Sequence, residues 1–383
     1  MKGSSTVPWW QVKRDTLLTT LGERDCAYVY DLATVESQAR ALLAMRSVSR
    51  VLYAIKANPH PRLLRAIAAT GIGFECVSRA EVERVLESVP GIARDRLLFT
   101  PNFAPRAEYR WALDLGLLVT VDNLYVLRSW ADLFSGREIL LRLDAGRGHG
   151  HHEKVRTIGL HSKFGVPPEE FAELPPAVAA AGARVVGLHA HGGSGNFDLE
   201  GWLEPARILA ENSGQYPAAR ILNLGGGLGV PDRAGQPPVD LGAFDQALGE
   251  FRRAQPGFEL WLEPGRFLVA SAGVLLARVT QTKGKGRKRY VGVATGMNSL
   301  IRPALYDAWH EIVNLSRLDE PAGQTCTVVG PICESGDVLG ADRELPPCEE
   351  GDVLLIADAG AYGHAMASHY NLRPPAPELL VPA

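Results

Sequence analysis

The stretch that decides the fold runs from residue 51 to residue 89, VLYAIKANPHPRLLRAIAATGIGFECVSRAEVERVLESV. It opens on a short apolar run, VLYAIKA from Val51, and holds a second, GFECVS from Gly73. Between them PRLLRAIAATG has helical spacing. Pro61 falls in a first turn, Gly71 is placed as a C′ residue, and Leu64, Ile67 and Ala68 supply one apolar face. After the second run Ser78 and Glu81 form a capping-box pattern, with Val82, Val85, Leu86 and Val89 as the stripe to be buried. The order is strand, helix, strand, helix.

Working outward, the same kind of run returns as LLFT from Leu97, LLVTVD from Leu117, ILLRLD from Ile139, VVGLHAH from Val185, ILNLGG from Ile221 and LWLEPG from Leu260. Short apolar runs without alternation fit buried parallel strands. Eight strand–helix units predict a (β/α)8 barrel of the α/β class, with an open doubly wound sheet as the alternative. After Arg266 the pattern changes. FLVASAGVLLARVTQTK, RKRYVGVAT, TCTVVGPICESGD and DVLLIADAG read as strands without long helices between them, a mostly antiparallel β-domain. The domain boundaries drawn from this are 28–268 for the barrel, and 1–27 with 269–383 for the β-domain. The basic stretch KGKGRKR, Lys283 to Arg289, reads as a solvated hairpin turn.

Composition narrows the function classes. With 383 residues, 46% hydrophobic and 22% charged, the chain can bury a large core without disulfide or metal staples. Lys and Arg number 40 against 43 Asp and Glu, a net charge of −3, so the basic excess of a nucleic-acid binder is missing. The 5 cysteines are scattered with no CxxC pair, which points to reduced thiols and the cytoplasm. MKGSSTVPWWQVKRD has no apolar signal segment, and no run reaches the roughly 18 apolar residues of a membrane span. The opening residues read as an engineered start or as the cut edge of a longer polypeptide.

In a barrel, chemistry collects where strands end. Here those ends carry Lys56, Glu75, Asn102, Arg142 with Asp144, His189 with His191, Gly225-Gly226-Gly227, and Glu263-Pro264-Gly265-Arg266. A lysine inside an apolar strand is costly unless paired or reactive, and burial lowers its pKa into nucleophilic range; the alternative is a snorkelling strand-end lysine. The glycine triplet is a phosphate cradle or a tight connection, and Ser194 could add a hydroxyl to a bound anion. Glu263 is a core ion-pair partner or the acid facing a protonated ring nitrogen. His191 is a core histidine or a stacking imidazole. Taken together, the set describes a pyridoxal 5′-phosphate (PLP) site. The competing constellation, His149, His151, His152 and His161 in GHGHHEKVRTIGLH, lacks zinc spacing and reads as a glycine-separated loop, so no metal is expected. No GxSxG elbow and no GxGxxG fingerprint occur.

A resemblance adds to this reading. YAIKAN around Lys56, GFECVSRAEVE at 73–83, SKFG at 162–165, HAHGGSG at 189–195, NLGGGLG at 223–229, EPGR at 263–266, CESGD at 333–337, GAYG at 360–363 and YN at 370–371 follow a known order. From about Tyr28 to its C-terminus the chain resembles the fold-type III PLP-dependent decarboxylases, most of all diaminopimelate decarboxylase. GHGHHEKVRT and GMNSLIRPALYDAWHEI (296–312) look most like the decarboxylase half of bifunctional aspartate kinase–diaminopimelate decarboxylases.

The resemblance implies an alanine-racemase-like barrel and the conversion of meso-diaminopimelate to L-lysine and CO2. It implies that Lys56 carries PLP covalently, Glu263 faces the pyridine nitrogen and His191 stacks on the ring. Gly225, Gly226, Gly227, Ser194 and Tyr362 hold the phosphate, Arg266 meets the phosphate or a substrate carboxylate, and Glu75, Arg142 and Gly265 complete the cofactor set. Arg302 and Tyr306 grip the distal carboxylate. Cys333, as proton donor, and Glu334, at the distal ammonium, come from a second subunit, so a homodimer with composite sites is implied. The chain departs from the family in HGGSG, where HIGSQ is common, and in Glu75, where ornithine-type enzymes carry aspartate. The remaining readings are decarboxylation of another basic amino acid or a conjugate, an amino-acid racemase, and a non-catalytic PLP-binding homologue.

Overall fold

The computed structural model describes residues 7–145, 162–233 and 235–382. The histidine cluster at 149–161 lies outside them. Two compact units are present. One spans Met1–Val35, Pro231–Pro237 and Val269–Ala383, the other Glu36–Val230 and Pro238–Leu268.

The first strand, β1 (Cys26–Tyr30), belongs to the former unit. In the latter, eight strands close a barrel: β2 (Arg50–Ala54), β3 (Gly73–Cys76), β4 (Leu97–Phe99), β5 (Leu118–Val121), β6 (Glu138–Arg142), β7 (Arg184–His189), β8 (Ile221–Asn223) and β9 (Glu259–Leu262). Each pairs in parallel with the next, and β9 returns to β2 through Arg50↔Trp261 and Val51↔Leu262. All eight apolar runs of the sequence are barrel strands, and the open sheet is excluded. Leu52, Leu98, Leu140, Val186, Ile221 and Trp261 pack as one buried cluster. Burying one such side chain stabilises by about 1.5–3 kcal/mol.

Local signals place the helices. Pro61–Ala69 begins with proline in its first turn and buries Leu64, Ile67 and Ala68. Arg79–Ser88 is capped by Ser78, whose hydroxyl accepts from the Glu81 amide at 3.2 Å. The reciprocal half of the capping box differs: the Glu81 carboxylate accepts from Val77 N–H at 2.7 Å, one residue before the cap. The buried stripe is also narrower than expected, with Val82 and Val85 inside and Leu86 and Val89 only half-buried.

The β unit is built on β10 (Gly273–Lys285), which pairs antiparallel with β1, with β11 (Lys288–Val293) and with a later strand, β15 (Val353–Ile356). Between them lie β12 (Ile312–Asn314), β13 (Gln324–Val329) and β14 (Val338–Leu345); β16 (Glu378–Leu380) runs parallel to β1. Antiparallel pairs dominate, though β11–β13 is also parallel. The basic stretch is an exposed hairpin turning at Gly286. Leu17, Leu21, Val29, Val274, Leu276, Leu315 and Leu355 form the core of this unit. Because β1 hydrogen-bonds along Gly273–Ala277, the N-terminal edge of the β unit extends past residue 27, where the sequence boundary was drawn.

TCTVVGPICESGD is a strand only to Val329. Residues 330–337 form a loop rooted on Asp337. Its carboxylate accepts from Met297 N–H at 2.6 Å and Ile332 N–H at 2.7 Å. Gly296 and Gly330 lie so close to this carboxylate that a Cβ on either would collide with it. Among the described residues no helix is long and apolar enough to cross a membrane.

Candidate functional site at the barrel rim

The C-terminal ends of the strands bring most of the expected barrel residues together. Glu75 on β3 is buried, and its Oε2 lies 3.7 Å from Lys56 Nζ. Lys56 itself corrects an expectation. The strand stops at Ala54, and Lys56 sits on a single 3-10 turn, Ile55–Ala57. Its side chain is 48% exposed, against 2% for Glu75. The amine is thus reached from solvent, as the strand-end reading had it, with the buried Glu75 carboxyl group beside it. Burial pushes the Glu75 carboxyl up to about 8, against the opposing pull of Lys56.

Glu263, just past β9, is held at both oxygens. Its Oε2 lies 3.1 Å from His189 Nε2, and Oε1 accepts from Asn223 Nδ2 at 2.7 Å. Burial opposes ionisation of Glu263, but His189, Lys56 and Asn223 outweigh it and hold the carboxyl down. Burial also lowers the pKa of His189, so the imidazole is neutral and acts on Glu263 as an N–H donor. His189 Nδ1 is buried with no hydrogen-bond partner among the described residues. Arg142, the last residue of β6, is buried with its guanidinium 4.7 Å over the Phe164 ring.

His191 lies beyond β7. Its Nδ1 accepts from the Gly226 amide at 3.1 Å, which fixes the Nε2–H tautomer. Burial, then the charge of Arg142, pushes its pKa down to about 3, so this ring too is neutral. The turn after β8 leaves no room for side chains. A Cβ on Gly226 would fall on the Glu263 carbonyl oxygen, and one on Gly227, where φ is +119°, on that of Gly193. Arg266 reaches Ser194 Oγ at 3.3 Å, and Gly265 packs over Ala54 and Ala57. An ionised carboxylate, neutral imidazoles, an accessible lysine and a backbone cradle that only glycine fits match the needs of PLP.

The remaining expected residues lie in the β unit. Arg302 opens a short helix, Arg302–Tyr306, and its Nη1 donates to His310 Nε2 at 3.0 Å. His310 Nδ1–H in turn donates to the Ala357 carbonyl at 2.8 Å. Asp358, next along, is pushed up to about 6 by burial against the pull of Arg302. Tyr306 is half-buried on the same helix, and Tyr362 takes a φ of +57°. Cys333 and Glu334 are exposed. The Cys333 amide donates to Asn371 Oδ1 at 2.7 Å, and the Tyr370 hydroxyl donates to Glu334 Oε1 at 3.3 Å.

Sequence reasoning assigned no role to Asn223, His310 or Asp337. Asn223 had a signal: it is the polar end of an apolar run, the same mark that singled out Glu263. Among the described residues no group of three or more His, Cys, Asp or Glu is arranged to hold a metal.

The family model "Pyridoxal-dependent decarboxylase, pyridoxal binding domain" matches residues 32–270. A diaminopimelate decarboxylase of Methanothermobacter thermautotrophicus is 38% identical over 357 residues, covering 89% of this chain and 82% of the relative. The Escherichia coli diaminopimelate decarboxylase is 33% identical over 390 residues, covering 96% and 91%. Among solved structures, the Helicobacter pylori diaminopimelate decarboxylase complexed with L-lysine superposes with a TM-score of 0.86 at 29% identity, covering 96% of this chain and 94% of that one.

Proposed function

This chain belongs to the pyridoxal-dependent decarboxylases, and from that premise we propose that it removes CO2 from meso-diaminopimelate to give L-lysine. Its cofactor is pyridoxal 5′-phosphate. The observation that carries the chemistry is Glu263, a buried carboxylate kept ionised by donors on both oxygens. The similarity to diaminopimelate decarboxylases across most of the chain carries the substrate.

When bound, PLP supplies the electron sink into which the Cα–carboxylate bond breaks. The chain's residues do the rest. Glu263 holds a proton on the ring nitrogen by keeping its own negative charge. Lys56 Nζ would hold the cofactor covalently, and its exposed side chain leaves it open to a substrate amine. His191, being neutral, covers a ring face without adding a cation that would compete for the same electrons. Gly225, Gly226 and Gly227 form the turn that receives the phosphate, its first two amides held by Asn223 and His191, with Ser194, Arg266 and Tyr362 as side-chain partners; Glu75, Arg142 and Gly265 shape the floor.

Specificity follows from the two charges at the far end of the substrate. Arg302, with Tyr306, takes the distal carboxylate, and Glu334 takes the distal ammonium. Lysine and ornithine lack the carboxylate and leave Arg302 without a substrate partner, which disfavours them. Cys333 Sγ returns a proton to Cα. The exposure of Cys333 and Glu334 supports a composite site in which a second copy of the chain supplies them, hence a homodimer. Five unpaired thiols support a cytoplasmic setting.

The test is a substrate panel. Purified protein with PLP is offered meso-diaminopimelate, lysine, ornithine and arginine, and CO2 and amine products are identified. L-Lysine from the first is expected. Turnover of lysine or ornithine without the first would overturn the substrate, and an inverted stereocentre without CO2 would indicate racemisation. Borohydride reduction and peptide mapping should label Lys56.

A further inference from the structure

Asn223 ends β8 and is fully buried. The two ends of its side-chain amide serve different parts of the rim. Nδ2 donates to Glu263 Oε1 at 2.7 Å, while Oδ1 accepts from the Gly225 amide at 3.0 Å. Each contact is continued by a histidine. The other oxygen of Glu263 meets His189 at 3.1 Å, and the next amide of the turn, on Gly226, meets His191 at 3.1 Å. One side chain thus joins the carboxylate assigned to the cofactor ring to the turn assigned to its phosphate.

We propose that Asn223 is a positioning residue that sets both ends of the cofactor site together, fixing the ring acid relative to the phosphate turn. The inference rests on the PLP assignment above. An amide suits the place because it donates at one end and accepts at the other. Alanine would leave a buried carboxylate oxygen and a buried N–H short of a partner, each a costly loss in a dry site. Aspartate is nearly isosteric but splits the two duties. It still accepts from Gly225, yet it sets a second carboxylate against Glu263. Two carboxylates so close do not both stay ionised, so a shared proton enters where the ring acid has to be charged.

The experiment measures cofactor binding and the spectrum of bound PLP, without turnover. Asn223→Asp is expected to keep PLP affinity within about threefold of the unmutated protein, since the turn keeps its acceptor. The absorbance of its bound cofactor should gain a pH dependence that the unmutated protein lacks. Asn223→Ala is expected to lose about tenfold or more in affinity, and its spectrum should change as well. A folded Asn223→Asp protein whose bound cofactor has the spectrum and pH response of the unmutated protein would overturn the proposal. So would equal loss of affinity in both variants. If the alanine variant does not fold, the aspartate variant decides alone, because its two readouts are expected to part. Labelling of Lys56 in the unmutated holoenzyme is a separate result: its failure would remove the PLP assignment, whereas a spectrum unmoved by Asn223→Asp would remove only the coupling.

Discussion

At the barrel rim Glu75, Arg142, His189 and Glu263 are buried, whereas on the 330–337 loop Cys333 and Glu334 are exposed, the Cys333 amide held by Asn371 and the Glu334 carboxylate by Tyr370. The rim fixes protonation as well as position: Glu263 is charged, Glu75 resists charging, and His189 and His191 are neutral before any ligand arrives. The loop presents its side chains to solvent. What its thiol and carboxylate do depends on what comes to cover them. In one chain, preorganised electrostatics and a presented side chain are two separate ways to build a site.

Breaking the rim should have the largest effect. Gly227→Ala must strain a φ of +119° and move the Gly193 carbonyl. It is expected to lower PLP affinity by about a hundredfold or more, read by titrating the ligand-free protein. Unchanged affinity would show that the rim is not the preset part of the site.

The loop is tested by mixing. Cys333→Ala is expected to lower kcat by about tenfold to a hundredfold, the range for a lost proton donor, with little change in PLP affinity. Lys56→Ala should be inactive. An equimolar mixture of the two variants, allowed to exchange subunits, should recover about a quarter of wild-type activity, because half the random dimers then hold one intact site. No recovery in a mixture shown to exchange would place both residues in one subunit's site.

A smaller effect sharpens the rim's side of the contrast. Folding raises the Glu75 carboxyl from 4.5 to about 8, so the folded protein keeps a proton that the unfolded chain releases between those values. The associated stability is whole below pH 4.5 and drains away as pH climbs toward 8. The unfolding midpoint of ligand-free protein should fall across that window, and Glu75→Gln should reduce the fall by about 2 °C or more. Parallel curves would mean that Glu75 titrates alike in both states. The smallest change lies just past the rim, three residues beyond Glu75: Ser78→Ala removes a helix cap and should cost about 1 kcal/mol in denaturant unfolding.

What could be read in the sequence follows from what is local. The barrel was legible because each parallel strand is buried on both faces and so appears as an unbroken apolar run. β1 was not read as a strand of the β unit, since Cys26–Tyr30 finds its partners at Gly273–Ala277, far along the chain. The site divides in the same way. Lys56, Glu263 and the glycine triplet stand out by residue type at strand ends. Asn223, His310 and Asp337 act by bridging groups distant in sequence, and no spacing rule announces a bridge. For Lys56 the two readings offered were a buried amine and a strand-end one, and the structure has the second, because one 3-10 turn lifts it out of the apolar run that seemed to bury it.

The footing of the 330–337 loop separates what anchors it from what it presents. Asp337 grips Met297 and Ile332 by their backbone amides, and neither grip depends on what stands at 333–336. Those four positions form an interchangeable tip on a permanent mount. A side-chain change at the tip therefore leaves Asp337 and its two backbone contacts as they are.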